Sequence, residues 1–338
     1  MTGVQTCALP ICYTPPAPKF IGRRLFKNFD LTELAKYIDW GPFFQTWDLA
    51  GPFPQILKDE VVGTEAVRVY ADGKRMLQRL IEGRWLTANG VIGLYPASSV
   101  GDDIEVYADE SRQEPIMTWH GLRQQTEKQM IDGVMRPSRC LSDFIAPKLN
   151  ATDLIALRAD SMPASGTKGF KNDYIGIFAV TAGIGVEKKE KFFTDDLDDY
   201  SAIMLKALAD RLAEAFAEML HHRVRTDLWG YAANEALSNE EMIAEKYQGI
   251  RPAPGYPACP DHSAKRDMFR VLQCEDIGMA LTESLAMTPA ASVSGFMLSH
   301  PEAQYFNVGK IGDDQLQDLA KRRGETPEQL QRLLAPNL

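Results

Sequence analysis

The segment Arg251–His262, RPAPGYPACPDH, concentrates more chemistry than any other stretch of this chain. Four prolines and one glycine in twelve residues forbid regular structure and stiffen the backbone, so the segment must be an ordered loop. A loop of that kind keeps free N–H and C=O groups for a polar ligand, and Arg251 at its start can grip a carboxylate as a bidentate fork. The same composition would also serve as a proline-rich connector between two helices. Cys259 and His262 form a C-x-x-H pair, half a zinc site by spacing, but no second pair of ligands accompanies them and no metal is expected. Gly183-Ile-Gly185 follows a strand pattern, yet Lys188 stands where a dinucleotide loop needs its third glycine, and no helix is evident there. No G-x-S-x-G occurs, so a serine nucleophile is not indicated. His221 and His222 sit near a helix C-terminus, where the helix dipole accounts for them.

These groups need elements to hold them. Leu31–Ile38 reads as a short helix, and the cluster Trp40, Phe43, Phe44 and Trp47 after it reads as core. Asp39 between them is placed to cap a helix end. From Glu65 to Trp85 the apolar positions Val69, Met76, Leu77, Leu80 and Ile81 recur at helical spacing, with Gly73 costing roughly 1 kcal/mol relative to alanine. Val91–Tyr95 and Ile104–Tyr107 read as strands flanking a turn at Gly101-Asp102. Asp173–Thr181 lacks strict alternation, which suggests a central strand buried on both faces. The clearest helix spans Asp195 to Val224 on a stripe of Leu205, Leu208, Leu212, Phe216 and Met219. On a helical projection Glu214 falls nearly opposite that stripe, on a solvated face. Capping boxes open helices at Ser238 and Thr326, Gly324 ends the helix before the second, and Ser292–Ser299 reads as a strand. Only Ala164–Gly169 looks like a flexible loop. Strands and helices mixed without βαβ alternation predict an α+β fold.

Across 338 residues, 37 basic and 46 acidic side chains give a net charge of -9, which argues against nucleic acid or an anionic membrane as the main partner. No apolar run is long enough to span a bilayer and no signal peptide is evident, so the cytoplasm is expected. The five cysteines are scattered and predict reduced thiols. Residues 1–12 resemble a translated adapter scar, Tyr13–Lys19 with three prolines reads as a linker, and the domain is expected to occupy residues 20–338.

The words YQGIRPAPGYPACPDH (Tyr247–His262) and LTESLAMTPAASVSGFMLSHPEAQYF (Leu281–Phe306) resemble the activation domain of cobalamin-dependent methionine synthase. YIDWGPFFQTW (Tyr37–Trp47), VGDDIEVY (Val100–Tyr107), LRQQTEK (Leu122–Lys128), DYIGIFAVTAG (Asp173–Gly183), KALADRLAEAFAE (Lys206–Glu218) and the closing LAPNL agree with that family in the same order. The resemblance runs from about Tyr13 to Leu338. It implies a single α+β domain bent around a long, mainly antiparallel sheet flanked by helices, with S-adenosylmethionine in a groove. By matching words, Asp39 and Glu214 would be acidic groups facing that ligand. Arg251 and the backbone of Pro252, Ala253, Gly255 and Tyr256 would hold its other polar end, and Tyr305 would close the site. Phe306 stands where the family often has a second tyrosine. His262 would face the cobalamin side.

The resemblance further implies a repair reaction, the reductive methylation of cob(II)alamin, with cobalamin presented by a partner domain and an electron supplied by a flavodoxin-type protein. No zinc is expected in this chain, and the D-x-H-x-x-G word that marks a cobalamin-ligating domain is absent. On this reading the chain belongs to a methyltransferase but would bind rather than turn over by itself. Two alternatives stay open: a stand-alone S-adenosylmethionine-binding protein serving a separate corrinoid partner, and an unrelated soluble oxidoreductase.

Overall fold

The computed structural model of the chain describes residues 13–125, 130–131, 134–135, 137–148 and 172–338. Strand β1 (Gly22–Phe29) leads to helices α1 (Leu31–Ala35), α2 (Gly41–Gln45) and α3 (Gly63–Glu82), then to strands β2 (Thr87–Val100), β3 (Asp103–Tyr107) and β4 (Pro115–His120). Strand β5 (Asp173–Ile184) precedes helices α4 (Val186–Asp195), α5 (Asp199–Arg223), α6 (Asn239–Ile243) and α7 (Ala264–Leu272). Strand β6 (Ser292–Met297) and helices α8 (Asp313–Arg323) and α9 (Pro327–Leu334) follow.

The six strands form one antiparallel sheet in the order β6-β5-β2-β3-β4, with β1 also paired to β2. One edge of β2 runs along β5, while its other edge is shared, first by β1 and then, from Ala97 onward, by β3. This handover lets one long strand tie together the long, mainly antiparallel sheet that was expected. Strand β5 is central, and its side chains alternate between two cores. Phe178, Val180 and Ala182 join the core built on α3 and α5, while Ile175, Ile177 and Ala179 join Met268 and Leu272 of α7. A smaller third cluster gathers α8 and α9 with Leu122 and Val308.

Local signals act where they were read. Ser238 and Thr326 form capping boxes with Glu241 and Gln329, and Gly324 ends α8 at φ +65°. Asp30 caps α1, which stops at Ala35, short of Ile38. Phe43 and Phe44 are buried, as the aromatic cluster predicts. The loop expected at Ala164–Gly169 and the segment 1–12 lie outside the described residues. Tyr13–Lys19 has no regular structure and lies against the domain: Trp229 Nε1 donates to the Pro16 carbonyl (2.8 Å), and the Tyr13 ring meets His300 edge-on.

Two readings are corrected. A helix, α4, does open directly after Gly185, which adopts φ +100°. A Cβ there would lie 2.5 Å from the Trp85 carbonyl, so the glycine serves a close approach of backbone. The helix drawn from Asp195 to Val224 is interrupted at its start: α4 ends at Asp195, and Asp198 caps α5 by accepting from the Ser201 N–H (3.0 Å). Helical periodicity continues across that break because both helices bury apolar faces on one core.

Candidate functional site

The proline-rich segment is ordered by the sheet's edge. Ile250 exchanges both backbone hydrogen bonds with Leu298 (3.0 and 2.9 Å), and Phe296 N–H donates to the Pro252 carbonyl (2.8 Å). A Cβ on Gly295 would lie 2.7 Å from that carbonyl, so the loop reaches β6 this closely only across a glycine. Arg251 sits between the two anchors. Its N–H turns away from the strand and donates to the Tyr305 hydroxyl (2.9 Å). Farther along, Ala253 accepts from Tyr256 N–H (3.2 Å), and Gly255 donates to Cys259 (2.7 Å). Gly255 has φ +99°, and the His262 imidazole packs on the space a side chain would fill.

The Arg251 guanidinium reaches back to α5. One nitrogen pairs with Glu218 Oε2 (2.6 Å); the other meets His221 Nδ1 (3.3 Å) and the Tyr247 hydroxyl (3.2 Å). Burial would depress Arg251, but Glu218 overrides it and the guanidinium is held above its ordinary value. Burial, reinforced by Arg225, Arg251 and His222, drives His221 well below the ordinary histidine range. A neutral imidazole whose Nδ1 accepts from Arg251 must carry its proton on Nε2, which faces the Tyr231 hydroxyl at 3.4 Å. Beneath these lies Arg225, wholly buried in a π turn (Val224–Leu228) that continues α5. Glu235 takes its fork through Nε and Nη2 (2.8–3.0 Å), and its guanidinium stacks 4.2 Å from the Tyr247 ring.

Glu214, one turn before Glu218, is half-buried rather than solvated. The reason is that α5 is buried on more than its apolar stripe, since Ala213, Ala215 and Ala217 are also covered. Burial raises the Glu214 carboxyl, with Arg211 and Arg251 opposing, and it has no hydrogen bond or ion pair among the described residues. Glu245 stands at the rim, its carboxyl also raised by partial burial against the pull of Arg251. Tyr256 is 61% exposed, and its hydroxyl feels Glu214, Arg211 and Arg251. The fold therefore gathers Glu214, Arg251, Tyr256 and Tyr305 into one neighbourhood.

Asp39 stands on the turn between α1 and α2, both of which pack on α5. Its Oδ1 accepts from Gly41 N–H (2.8 Å) from one residue before the N-cap, which is Trp40, so it closes the turn rather than capping the helix as expected, and no hydrogen bond joins it to the Arg251 cluster among the described residues. Tyr37, two residues before it, bonds His222 Nδ1 (3.0 Å). Phe306 turns from the cluster toward Phe144, ring centroids 6.5 Å apart, where it packs against the second and third cores. Sequence reasoning missed Glu218, Arg225, Glu235, Glu245 and Tyr247. The available signal was a pair of charges, Glu218 and Arg225, at positions α5 and its continuation surround with apolar residues.

Cys259 is buried, its thiol pushed up to about 12 by burial, while His262 is exposed. Among the described residues no three His, Cys, Asp or Glu side chains could hold a metal ion, and no helix is long and apolar enough to cross a membrane. A polar cavity of about 280 Å³ opens beneath the far end of the loop, lined in part by Trp119, His120, Asp261 and Arg323. None of the predicted ligand residues lines it, so the cavity and the Arg251 neighbourhood are separate features.

The family model described as vitamin B12 dependent methionine synthase, activation domain, matches residues 30–324. Among solved structures, the chain is similar to one titled as the MetH reactivation domain bound to AdoHcy. The two share 50% sequence identity and a TM-score of 0.85, over 96% of this chain and 93% of that one.

Proposed function

The chain belongs to the family of vitamin B12 dependent methionine synthase activation domains, and from that premise we propose that it binds S-adenosylmethionine beside Arg251 and presents the methyl group to a corrinoid on a partner domain. The observation that carries this reading is the charge arrangement: Glu214, a half-buried carboxylate with no hydrogen bond or ion pair among the described residues, stands one turn before Glu218, whose Oε2 pairs with the half-buried Arg251 (2.6 Å). S-adenosylmethionine is a zwitterion with a further positive sulfonium, so it needs carboxylates for its cationic groups and an arginine for its carboxylate. Glu214 and Asp39 would face the cationic side. Arg251 would take the carboxylate, with the Pro252–Tyr256 backbone, including Ala253 and Gly255, beside it, and Tyr305 would cover the site. The similar crystal structure holds AdoHcy, which is what the ligand becomes once its methyl group has left.

Cobalamin on a partner domain would supply the methyl-accepting metal, with a flavodoxin-type protein as the proposed electron donor. The exposed imidazole of His262, at the loop's end, is the group we assign to the corrinoid side. This chain's own part is placement. A sulfonium methyl needs no general acid or base to move, and holding two reactants in line is worth roughly 7–11 kcal/mol. Whole-enzyme methyl transfer from folate to homocysteine belongs, on this reading, to other domains.

Calorimetry on the chain tests the proposal. S-adenosylmethionine should bind, and Arg251→Ala should weaken it by roughly 10- to 100-fold, the loss of a charge-assisted hydrogen bond. Asp39→Asn should weaken it less, because the amide oxygen still accepts from Gly41. No binding to the unaltered chain sinks the reading, and unchanged affinity in both variants moves the site elsewhere.

A further inference from the structure

Arg251 has a long, freely rotating side chain on a loop, and an arginine left loose gives up much of its orienting power to rotamer entropy. Its surroundings answer that problem in an unusual way. Glu235 grips Arg225 as a full fork, through Nε and Nη2 with both oxygens, and so satisfies that guanidinium's charge on its own. Glu218 is therefore not needed as the counter-ion of Arg225. It meets Arg251 differently, by a single contact from Oε2 to Nη2 (2.6 Å), while Nη1 is taken by His221 and Tyr247. Among the described residues Arg251 Nε makes no hydrogen bond, so the Nε edge of the fork stays open.

The other oxygen of Glu218 supplies a second observation. Oε1 is buried without a hydrogen bond, and so is Arg225 Nη1, which faces it at 4.0 Å. Two buried polar atoms left unpaired are costly, so a carboxylate kept here is not kept for stability alone. The like-for-like alternative, in which Glu218 closes on the Arg251 fork as Glu235 does on Arg225, would satisfy more bonds and leave Arg251 nothing to offer.

We propose that Glu218 is a positioning residue that holds the Arg251 guanidinium by one corner so that its open edge meets the ligand's carboxylate. The proposal rests on the carboxylate role assigned to Arg251 above. Glu218 touches no ligand; it supplies direction, and its negative charge works against the incoming carboxylate. Placement and charge therefore predict opposite results on removing it.

The test is calorimetry of the full chain with S-adenosylmethionine and with its decarboxylated analogue, which lacks only the carboxylate. The preference between the two, measured within each variant, cancels general losses of stability, and thermal unfolding reports the fold of each. The unaltered chain should prefer S-adenosylmethionine by roughly 10- to 100-fold, and Arg251→Ala should erase that preference. Glu218→Gln should erase most of it while changing affinity for the analogue by less than about threefold. Glu218→Asp, which keeps the charge, the safer fold and a shorter arm, should also lose preference. If the unaltered chain does not discriminate, or Arg251→Ala keeps the preference, the carboxylate role of Arg251 falls. If Arg251→Ala erases the preference while Glu218→Gln retains or increases it, or Glu218→Asp retains it in full, the positioning role alone is overturned.

Discussion

Replacing Gly73 by alanine sets two effects of known size against each other. In mid-helix, alanine gains about 1 kcal/mol over glycine, so α3 read by itself should be stabilised. In the folded chain the new Cβ would stand 2.6 Å from Phe43 Cζ and 3.1 Å from its Cε1. Phe43 is 1% exposed, and its ring lies 5.0–5.7 Å, centroid to centroid, from Trp40, Phe44 and Trp47. The ring has no free space to enter, so relief requires α2 to shift. Forcing a methyl-sized group into a packed core costs about 1–3 kcal/mol, and subtracting the helix gain leaves a net loss of about 1 kcal/mol. Because Gly41 at the start of α2 bonds Asp39, the same shift should reach the proposed ligand site. Urea denaturation followed by tryptophan fluorescence measures the first effect, and calorimetry with S-adenosylmethionine the second. In a Phe43→Leu background, where the clash is absent, the same alanine should stabilise by about 1 kcal/mol. Stabilisation in the unaltered background, or an equal effect in both, would refute the steric argument.

Gly255→Ala should cost about 1–2 kcal/mol, since a side chain at φ +99° is strained and must also push His262 aside; the displaced imidazole would be visible by NMR, and an unmoved His262 resonance would contradict this. Burial lifts Asp173 from 3.8 to about 6, against the N–H donors of Ala146 and Tyr174 and the charge of Arg112. Its folded pKa lies above the unfolded one, so its contribution is full below about pH 4 and is lost as pH rises through about 6, a change of about 3 kcal/mol. Denaturation curves from pH 4 to 7 should show that decline and Asp173→Asn should flatten it; an Asn variant with the same slope would assign the decline to other groups.

Much of the architecture could be read from residues close together along the chain. The capping boxes at Ser238 and Thr326 and the glycine stop at Gly324 depend on contacts within a few positions, so they survive a change of surroundings, whereas the prolines of Arg251–His262 announce only an irregular segment and β6 anchors its course. The family words placed Glu214, Arg251, Tyr256 and Tyr305 together, and the fold does gather them. Periodicity misjudged Glu214 and ran two helices into one, because a projection knows one buried face and α5 is covered on several.

What only the tertiary structure decided is the surroundings of those residues. Glu218 and His221 come from α5, Arg225 from its π turn, Tyr247 from the segment after α6, and Arg251 from a loop tied to β6. No spacing rule joins positions on separate elements, since their distances are set by how the elements pack. By itself the sequence determined the class of fold, the family and the charged groups available for a ligand. Which guanidinium is fully satisfied and which keeps an open edge is set by distances of a few ångströms between elements, and those exist only once the cores have closed around α5.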